Sequence, residues 1–125
     1  MKLNQITVPS KDLSVSVPFY QKLGLQLIVD ALPNYARFQC PEGGATFSIH
    51  KVAELPEGEG VYVYFEHEQL DAYVEELKEK RISFDLEPTD QTWLWREARL
   101  KDPDGIQLIL YYAGKNRCNP PWRIG

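Results

Sequence analysis

The 125-residue chain has no apolar run approaching the ~20 residues that a helix needs to cross a bilayer, so no membrane partner is expected. Cysteine is scarce. Cys40 and Cys118 lie far apart, and no Cys-x-x-Cys pair occurs, which excludes zinc-ribbon and thioredoxin-type chemistry and predicts two free thiols. Basic charge is not in excess: 14 Lys and Arg against 18 Asp and Glu leave a net charge of −4. The basic clusters, Lys78-Lys80-Arg81 and Lys115-Arg117-Arg123, are too small to make the basic face a nucleic acid requires, so no nucleic-acid partner is expected. Gly58-Glu59-Gly60 lacks the third glycine and the following helix of a phosphate-binding loop. No Gly-x-Ser-x-Gly elbow is present. The polar start, Met1-Lys2-Leu3-Asn4-Gln5, holds no signal-peptide core, and a cytoplasmic location is the expectation.

What is present is an ordinary globular balance. Hydrophobic residues at 43% and aromatics at 12% are enough for a core and exclude a solvated, disordered chain. A single domain, 1–125, is expected. Alternating polarity predicts a strand over 3–8, stopped by Pro9. A helix follows with Leu13, Val17 and Tyr20 on its buried face. Ser14 is its expected N-cap, Pro18 is placed in its first turn, and Gly24 lies just past its end. Strands over 25–30, 35–40 and 45–52 are separated by Pro33-Asn34 and Pro41-Glu42-Gly43-Gly44.

After a linker at 55–60 the pattern restarts. A strand over 61–65 precedes a helix marked by Leu70, Tyr73, Val74 and Leu77. A strand over 82–86, a loop at 88–92, and strands over 93–101 and 106–112 about Asp102-Pro103-Asp104-Gly105 complete it. At one constant offset Ile6 and Val8 correspond to Val63 and Phe65, and Leu13, Val17 and Tyr20 to Leu70, Val74 and Leu77. A slightly larger offset carries Pro41-Glu42-Gly43 to Pro103-Asp104-Gly105. The chain reads as βαβββ written twice: module one over 1–53, module two over 61–112, and a tail over 113–125.

Strand alternation assigns Ile6, Val8, Phe47, Ile49, Val63, Phe65, Ala98, Leu100, Leu108 and Leu110 to the side under the helices. The other side carries Gln5, Thr7, Thr46, Ser48, His50, Tyr62, Tyr64, Glu66, Glu97, Arg99, Gln107, Ile109 and Tyr111. That mixture of rings with a few polar groups is the make-up of a small-molecule cavity. Glu97 and Arg99 are expected to form an ion pair, and His67 to cap locally at a strand end. Ser48 and His50 are two residues apart on one strand, too far for direct proton transfer.

The paired modules, Phe19-Tyr20 with Leu23-Gly24 at a helix end, and Asp102-Pro103-Asp104-Gly105 before the last strand resemble the vicinal oxygen chelate superfamily over residues 2–112. This superfamily includes glyoxalase I, extradiol dioxygenases and bleomycin-resistance proteins. The resemblance implies an α+β fold in which two tandem βαβββ modules form a curled, cup-shaped mixed sheet with helices outside. It also implies a homodimer. The family's enzymes hold a divalent metal through four side chains, which fall here on Gln5, Ser48, Tyr62 and Ile109. Only Gln5 is a plausible ligand, because hydroxyls are protonated at neutral pH and Ile109 has no donor atom. No metal and no cofactor are therefore expected at those positions. A displaced metal would need His50, Glu66 and Glu97 to converge.

The run Trp95-Arg96-Glu97-Ala98-Arg99-Leu100-Lys101-Asp102-Pro103 resembles the bleomycin-resistance branch most closely, with Leu94 where that branch often has glycine. The reading that follows is a metal-free binding protein holding an aromatic or cationic small molecule. Its expected ligand contacts are Gln5, Ser48, His50, Tyr62, Tyr64, Trp93, Trp95, Glu97, Arg99 and Tyr111. The alternative is a glyoxalase-like lyase, isomerase or dioxygenase using a displaced metal or a carboxylate base, with Glu66 or Glu97 as the candidates. An interaction module with an unused cup is a third reading. In the tail, Trp122 and Ile124 are costly to leave in water, so the tail is expected to pack back, Trp122 on the cup rim or a partner subunit and Arg123 against a carboxylate.

Overall fold

Two four-stranded mixed sheets, each backed by one helix, carry the duplicated pattern in a computed structural model that describes residues 1–125. The first comprises β1 (Gln5–Ser10), α1 (Leu13–Leu23), β2 (Gln26–Ala31), β3 (Tyr35–Gln39) and β4 (Thr46–Lys51), in the sheet order β1-β4-β3-β2. The second comprises β5 (Val63–Glu66), α2 (Leu70–Glu79), β6 (Leu86–Asp90), β7 (Arg96–Lys101) and β8 (Gln107–Tyr112), in the order β5-β8-β7-β6. A 3-10 turn at Gly114–Asn116 follows. The registers repeat as the sequence does. β1 runs parallel to β4 with Ile6 opposite Phe47, and β5 runs parallel to β8 with Val63 opposite Leu108. No helix is long and apolar enough to cross a membrane.

The chain divides into two units, Met1–Gly60 with Asp102–Ile106, and Val61–Lys101 with Gln107–Gly125. In the first, α1 packs on β2, β3 and β4. Tyr20 is fully buried there, its ring centroid 4.6 Å from that of Phe47 and 5.8 Å from that of Phe38. In the second, Leu70, Val74 and Leu77 of α2 are buried, as are Val63, Ala98, Leu100, Leu108 and Leu110. Ile6 and Phe65, assigned to the core side, are only half-buried.

Several local expectations are corrected. The N-cap of α1 is Asp12, not Ser14: the Asp12 carboxylate accepts from the Ser14 N–H at 3.0 Å and from the Ser14 hydroxyl at 2.6 Å. A carboxylate there also suits the positive end of the helix dipole. Pro18 lies inside α1 rather than in its first turn. Gly24 ends the helix at φ 111, the left-handed conformation that glycine adopts without strain. The strand expected over 82–86 begins only at Leu86 and runs through Pro88 to Asp90. Proline is tolerated there because β6 is an edge strand, where one side needs no donor. Trp93 and Leu94 are not in a strand. They form the turn between β6 and β7, closed by the Leu94 N–H to Gln91 and the Gln91 N–H to Trp95. Leu94 has φ 66, so the residue standing where the related branch often has glycine is strained.

The Asp102–Ile106 turn joins the first unit through its acids. Asp102, 5% exposed, accepts from the Tyr20 hydroxyl at 2.5 Å and from the Asp104 and Ile106 N–H groups at 2.8 and 2.9 Å. Asp104 accepts from the Lys11 N–H and the Ser16 hydroxyl. Burial raises the Asp102 carboxyl above its ordinary range, partly offset by these donors. The Asp102 contribution is therefore complete below the unfolded carboxyl's range and declines as pH rises through the folded value. Replacing Tyr20→Phe is expected to lower stability by about 1–3 kcal/mol, because the carboxylate loses its side-chain donor while remaining buried. Urea denaturation of both proteins checks this, and a loss under about 0.5 kcal/mol would show that the hydroxyl is dispensable.

Candidate functional site

On the sheet of the second unit, the side away from α2 gathers a ring cluster. β8 supplies Ile109 and Tyr111, and β5 supplies Tyr64, opposite Ile109, and Glu66, opposite Tyr111. β7 supplies Glu97 opposite Tyr111 and Arg99 opposite Ile109. Trp95 stacks on Tyr111 with centroids 4.6 Å apart and planes at 19°. Tyr64 presents its ring edge-on to both, 5.8 Å from Trp95 and 5.5 Å from Tyr111. Ile109, Tyr111 and Ala113 form a buried cluster against which Trp95 packs. Tyr64 is 44% exposed and leaves the cluster open to solvent on its side. Burial raises the Tyr111 phenol above its usual range, with Glu66 adding to the effect.

The carboxylates of this face are engaged. Glu97, 1% exposed, accepts from the Trp93 indole N–H at 2.8 Å and from Arg99 Nη2 at 2.9 Å. The expected Glu97–Arg99 pair is thus present, with the strained Trp93-Leu94 turn held against it. Arg99 Nε is buried without a partner. Glu66 accepts from the Ala113 and Gly114 N–H groups, both at 2.9 Å, and lies 3.9 Å from Arg117. Glu66 thereby anchors the start of the tail, which no strand or helix pattern foretells.

The first unit's sheet has a different character. Gln5 Oε1 accepts from the Thr46 hydroxyl at 2.8 Å, and Ser48, fully buried, shares a 2.6 Å hydrogen bond with Thr7. Across from Ser48 stands Arg37, and across from exposed His50 stands Tyr35. Arg37 Nε donates to the Tyr35 hydroxyl at 2.9 Å. The Ser48 hydroxyl and the Arg37 guanidinium together hold the Tyr35 phenol below its usual range. Sequence reasoning missed Tyr35 and Arg37. The signal was in the repeat: the offset that carries Pro41 to Pro103 also carries Tyr35 to Glu97 and Arg37 to Arg99.

Of the expected ligand contacts, Tyr64, Trp95, Glu97, Arg99 and Tyr111 are brought together on the second sheet. Trp93 joins them from a turn. Gln5, Ser48 and His50 lie on the first sheet. Tyr62 precedes β5 and is 39% exposed. The residues do not fit a divalent metal at the family's positions. Ile109 offers no lone pair and is sealed among apolar neighbours, Ser48 is already hydrogen-bonded, and no three His, Cys, Asp or Glu side chains converge anywhere in the chain. His50 lies in the first unit, Glu66 and Glu97 in the second.

His67 caps locally, its Nδ1 accepting from the Gln69 N–H at 3.0 Å ahead of α2. The tail docks through Gly114–Asn116, where the Asn116 carbonyl accepts from the Trp95 indole at 3.3 Å. Beyond that the expectation is corrected within the chain: Trp122 is 56% and Ile124 92% exposed, and Arg123 donates to the Asn119 amide rather than to a carboxylate. Cys40 and Cys118 are free, as expected, and burial pushes the Cys40 thiol up.

Replacing Glu97→Ala is expected to cost roughly 3 kcal/mol, the lower end for breaking a buried ion pair, because Arg99 keeps 33% of its side chain in solvent. Thermal and urea denaturation measure it. A cost below about 1 kcal/mol would mean that the pair is not a structural anchor.

The sequence model of the Glyoxalase/Bleomycin resistance protein/Dioxygenase superfamily matches residues 2–110. No curated protein matches the chain. Among solved structures, a glyoxalase/bleomycin resistance protein/dioxygenase from Nocardioides is 25% identical with a TM-score of 0.80, covering 100% of this chain and 90% of its own. A bleomycin-binding protein complexed with bleomycin is 20% identical with a TM-score of 0.72, covering 90% and 98%. Lactoylglutathione lyase from Agrobacterium tumefaciens is 13% identical with a TM-score of 0.74, covering 89% and 92%. The likeness to the latter two is one of fold.

Proposed function

The chain belongs to the glyoxalase/bleomycin resistance protein/dioxygenase superfamily, and from that premise we propose that it is a metal-free binding protein for a small aromatic molecule. The observation that carries this reading is the Tyr64–Trp95–Tyr111 cluster, open on the Tyr64 side. A planar ligand laid against such rings gains dispersion and quadrupole attraction of about 0.5–1.5 kcal/mol per ring pair beyond the area it buries. The buried Glu97–Arg99 pair beneath Trp93 keeps that face rigid. Bleomycin binding by a protein of the same fold lends the reading support. Glu66 and Glu97 already accept from protein donors, so the rings rather than the acids carry this reading. The structural hydrogen bonds that Glu66 and Glu97 accept support the binding reading over one in which either serves as a catalytic base. Free thiols and few cysteines suit a reducing compartment, the cytoplasm.

The test combines elemental analysis with tryptophan fluorescence. The purified protein is expected to carry less than one equivalent of zinc, nickel, manganese or iron. Both 2-naphthol and bleomycin are to be tried as quenchers, and at least one is expected to quench tryptophan emission saturably. Tyr64→Ala should weaken that binding up to about tenfold. One equivalent of metal surviving dialysis, with a lyase or dioxygenase activity lost on chelation, would overturn the reading.

We further propose a symmetric homodimer. β1 and β2 end the first sheet, β5 and β6 end the second, and exposed edges of this kind are ordinarily covered. Sedimentation velocity at micromolar concentration is expected to give twice the 14.4 kDa chain mass. A monomer would refute this assembly.

A further inference from the structure

In both halves of the chain an arginine stands across from a position where the family's enzymes hold metal. Arg37 is the cross-strand partner of Ser48, and Arg99 is the cross-strand partner of Ile109. Directly opposed residues share a sheet face, with Cβ atoms about 4.5–5.5 Å apart. The two arginines differ in what balances them. Arg99 has the Glu97 carboxylate at 2.9 Å. Arg37 has the Tyr35 hydroxyl at 2.9 Å from Nε and the Tyr35 ring 5.5 Å from its guanidinium carbon, both neutral groups. No carboxylate pairs with it. Its own strand β3 and the neighbouring β4 contain no Asp or Glu. The strand on its other side, β2, sets Val29 opposite Arg37; its one acid, Asp30, stands opposite Ala36 and accepts from the Leu32 N–H.

A half-buried guanidinium without a counter-charge is an unfavourable arrangement that an anion would relieve. With Nε committed to Tyr35, the two terminal nitrogens remain as a planar fork, the geometry that matches two oxygens of a carboxylate. Tyr35 fixes the orientation of that fork by hydrogen bond and by ring contact, so little side-chain freedom is left to lose on binding.

We propose that Arg37, oriented by Tyr35, replaces the family's metal as the cation of the first module's open face and binds the carboxylate group of a small organic acid. The ligand's oxygens meet a fixed guanidinium instead of a metal ion. The neighbouring hydroxyl of Ser48, opposite Arg37, forms part of the polar floor behind it. This site is independent of the aromatic cluster and does not require that reading to hold.

The test is an NMR titration of the full, isotope-labelled chain with sodium acetate, sodium benzoate and inorganic phosphate at constant ionic strength. Acetate and benzoate are expected to give saturable shifts at the Arg37 Nε–H and the backbone amides of Tyr35–Gln39 and Thr46–Lys51. Arg37→Gln should weaken carboxylate binding about tenfold or more, the loss of a charge-assisted hydrogen bond. Arg37→Lys, which keeps the charge without the fork, should weaken it severalfold and covers the case in which the glutamine variant does not fold. Three outcomes would overturn the proposal: no saturable shift on these strands, binding unchanged in both Arg37 variants, or phosphate binding more tightly than either carboxylate. Quenching by 2-naphthol in the same variants reports on the aromatic cluster alone, so failure of one site is distinguishable from failure of the other.

Discussion

The Tyr20–Asp102 hydrogen bond is the contact on which the first unit's order depends. Tyr20 fills the space between Phe38 and Phe47 with its ring, and its hydroxyl reaches the one buried carboxylate of that unit. A tyrosine in a core is costly unless its oxygen finds a partner, and a carboxylate in a core is costly unless donors surround it. Each satisfies the other. The Asp104 and Ile106 N–H groups complete the shell of Asp102, and Asp104 extends the network to Lys11 and Ser16 at the start of α1. Helix, sheet and turn are thereby fixed by one small set of hydrogen bonds with an aromatic core around it.

The two halves show how a duplicated scaffold can diverge in chemistry while keeping its register. The position held by Tyr35 in one half is Glu97 in the other, and an arginine follows two residues later in both. In the first half the arginine leans on a phenol and the surrounding side chains are hydroxyls and amides. In the second it is neutralised by a glutamate, and the surroundings are rings. Strand pairing tolerates both because side chains on the face away from the helix do not determine how the backbone packs.

Much of this was legible in the sequence, and the reasons are specific. The helix spacing of Leu13, Val17 and Tyr20, repeated in Leu70, Val74 and Leu77, needs only local periodicity to be read. Gly24 and Gly105 mark turns by their conformational freedom, at φ 111 and 86. The Glu97–Arg99 pair follows from two-residue spacing on one strand. What escaped was non-local or against local preference. Glu66 meets backbone N–H groups nearly fifty residues away, and nothing in its own neighbourhood announces them. Trp93 reads as strand because leucine at 94 carries no turn preference of its own, although the branch it resembles often has glycine there; the fold forces Leu94 into a glycine-like conformation. Arg37 sits on a strand whose outward face carried no family landmark, and became visible only once register placed it beside Ser48.

The Asp102–Ile106 turn has a consequence for how such a chain came to exist. The turn is encoded late in the second module but completes the core of the first. A protein made of a single module would lack an acid at that place in its own helix-facing core, and would have to take it from another copy of itself. Fusion of two copies into one chain removes that dependence: the donor turn is then always present at the concentration of its own acceptor. Order in the first half becomes a property of covalent linkage rather than of how much protein the cell contains.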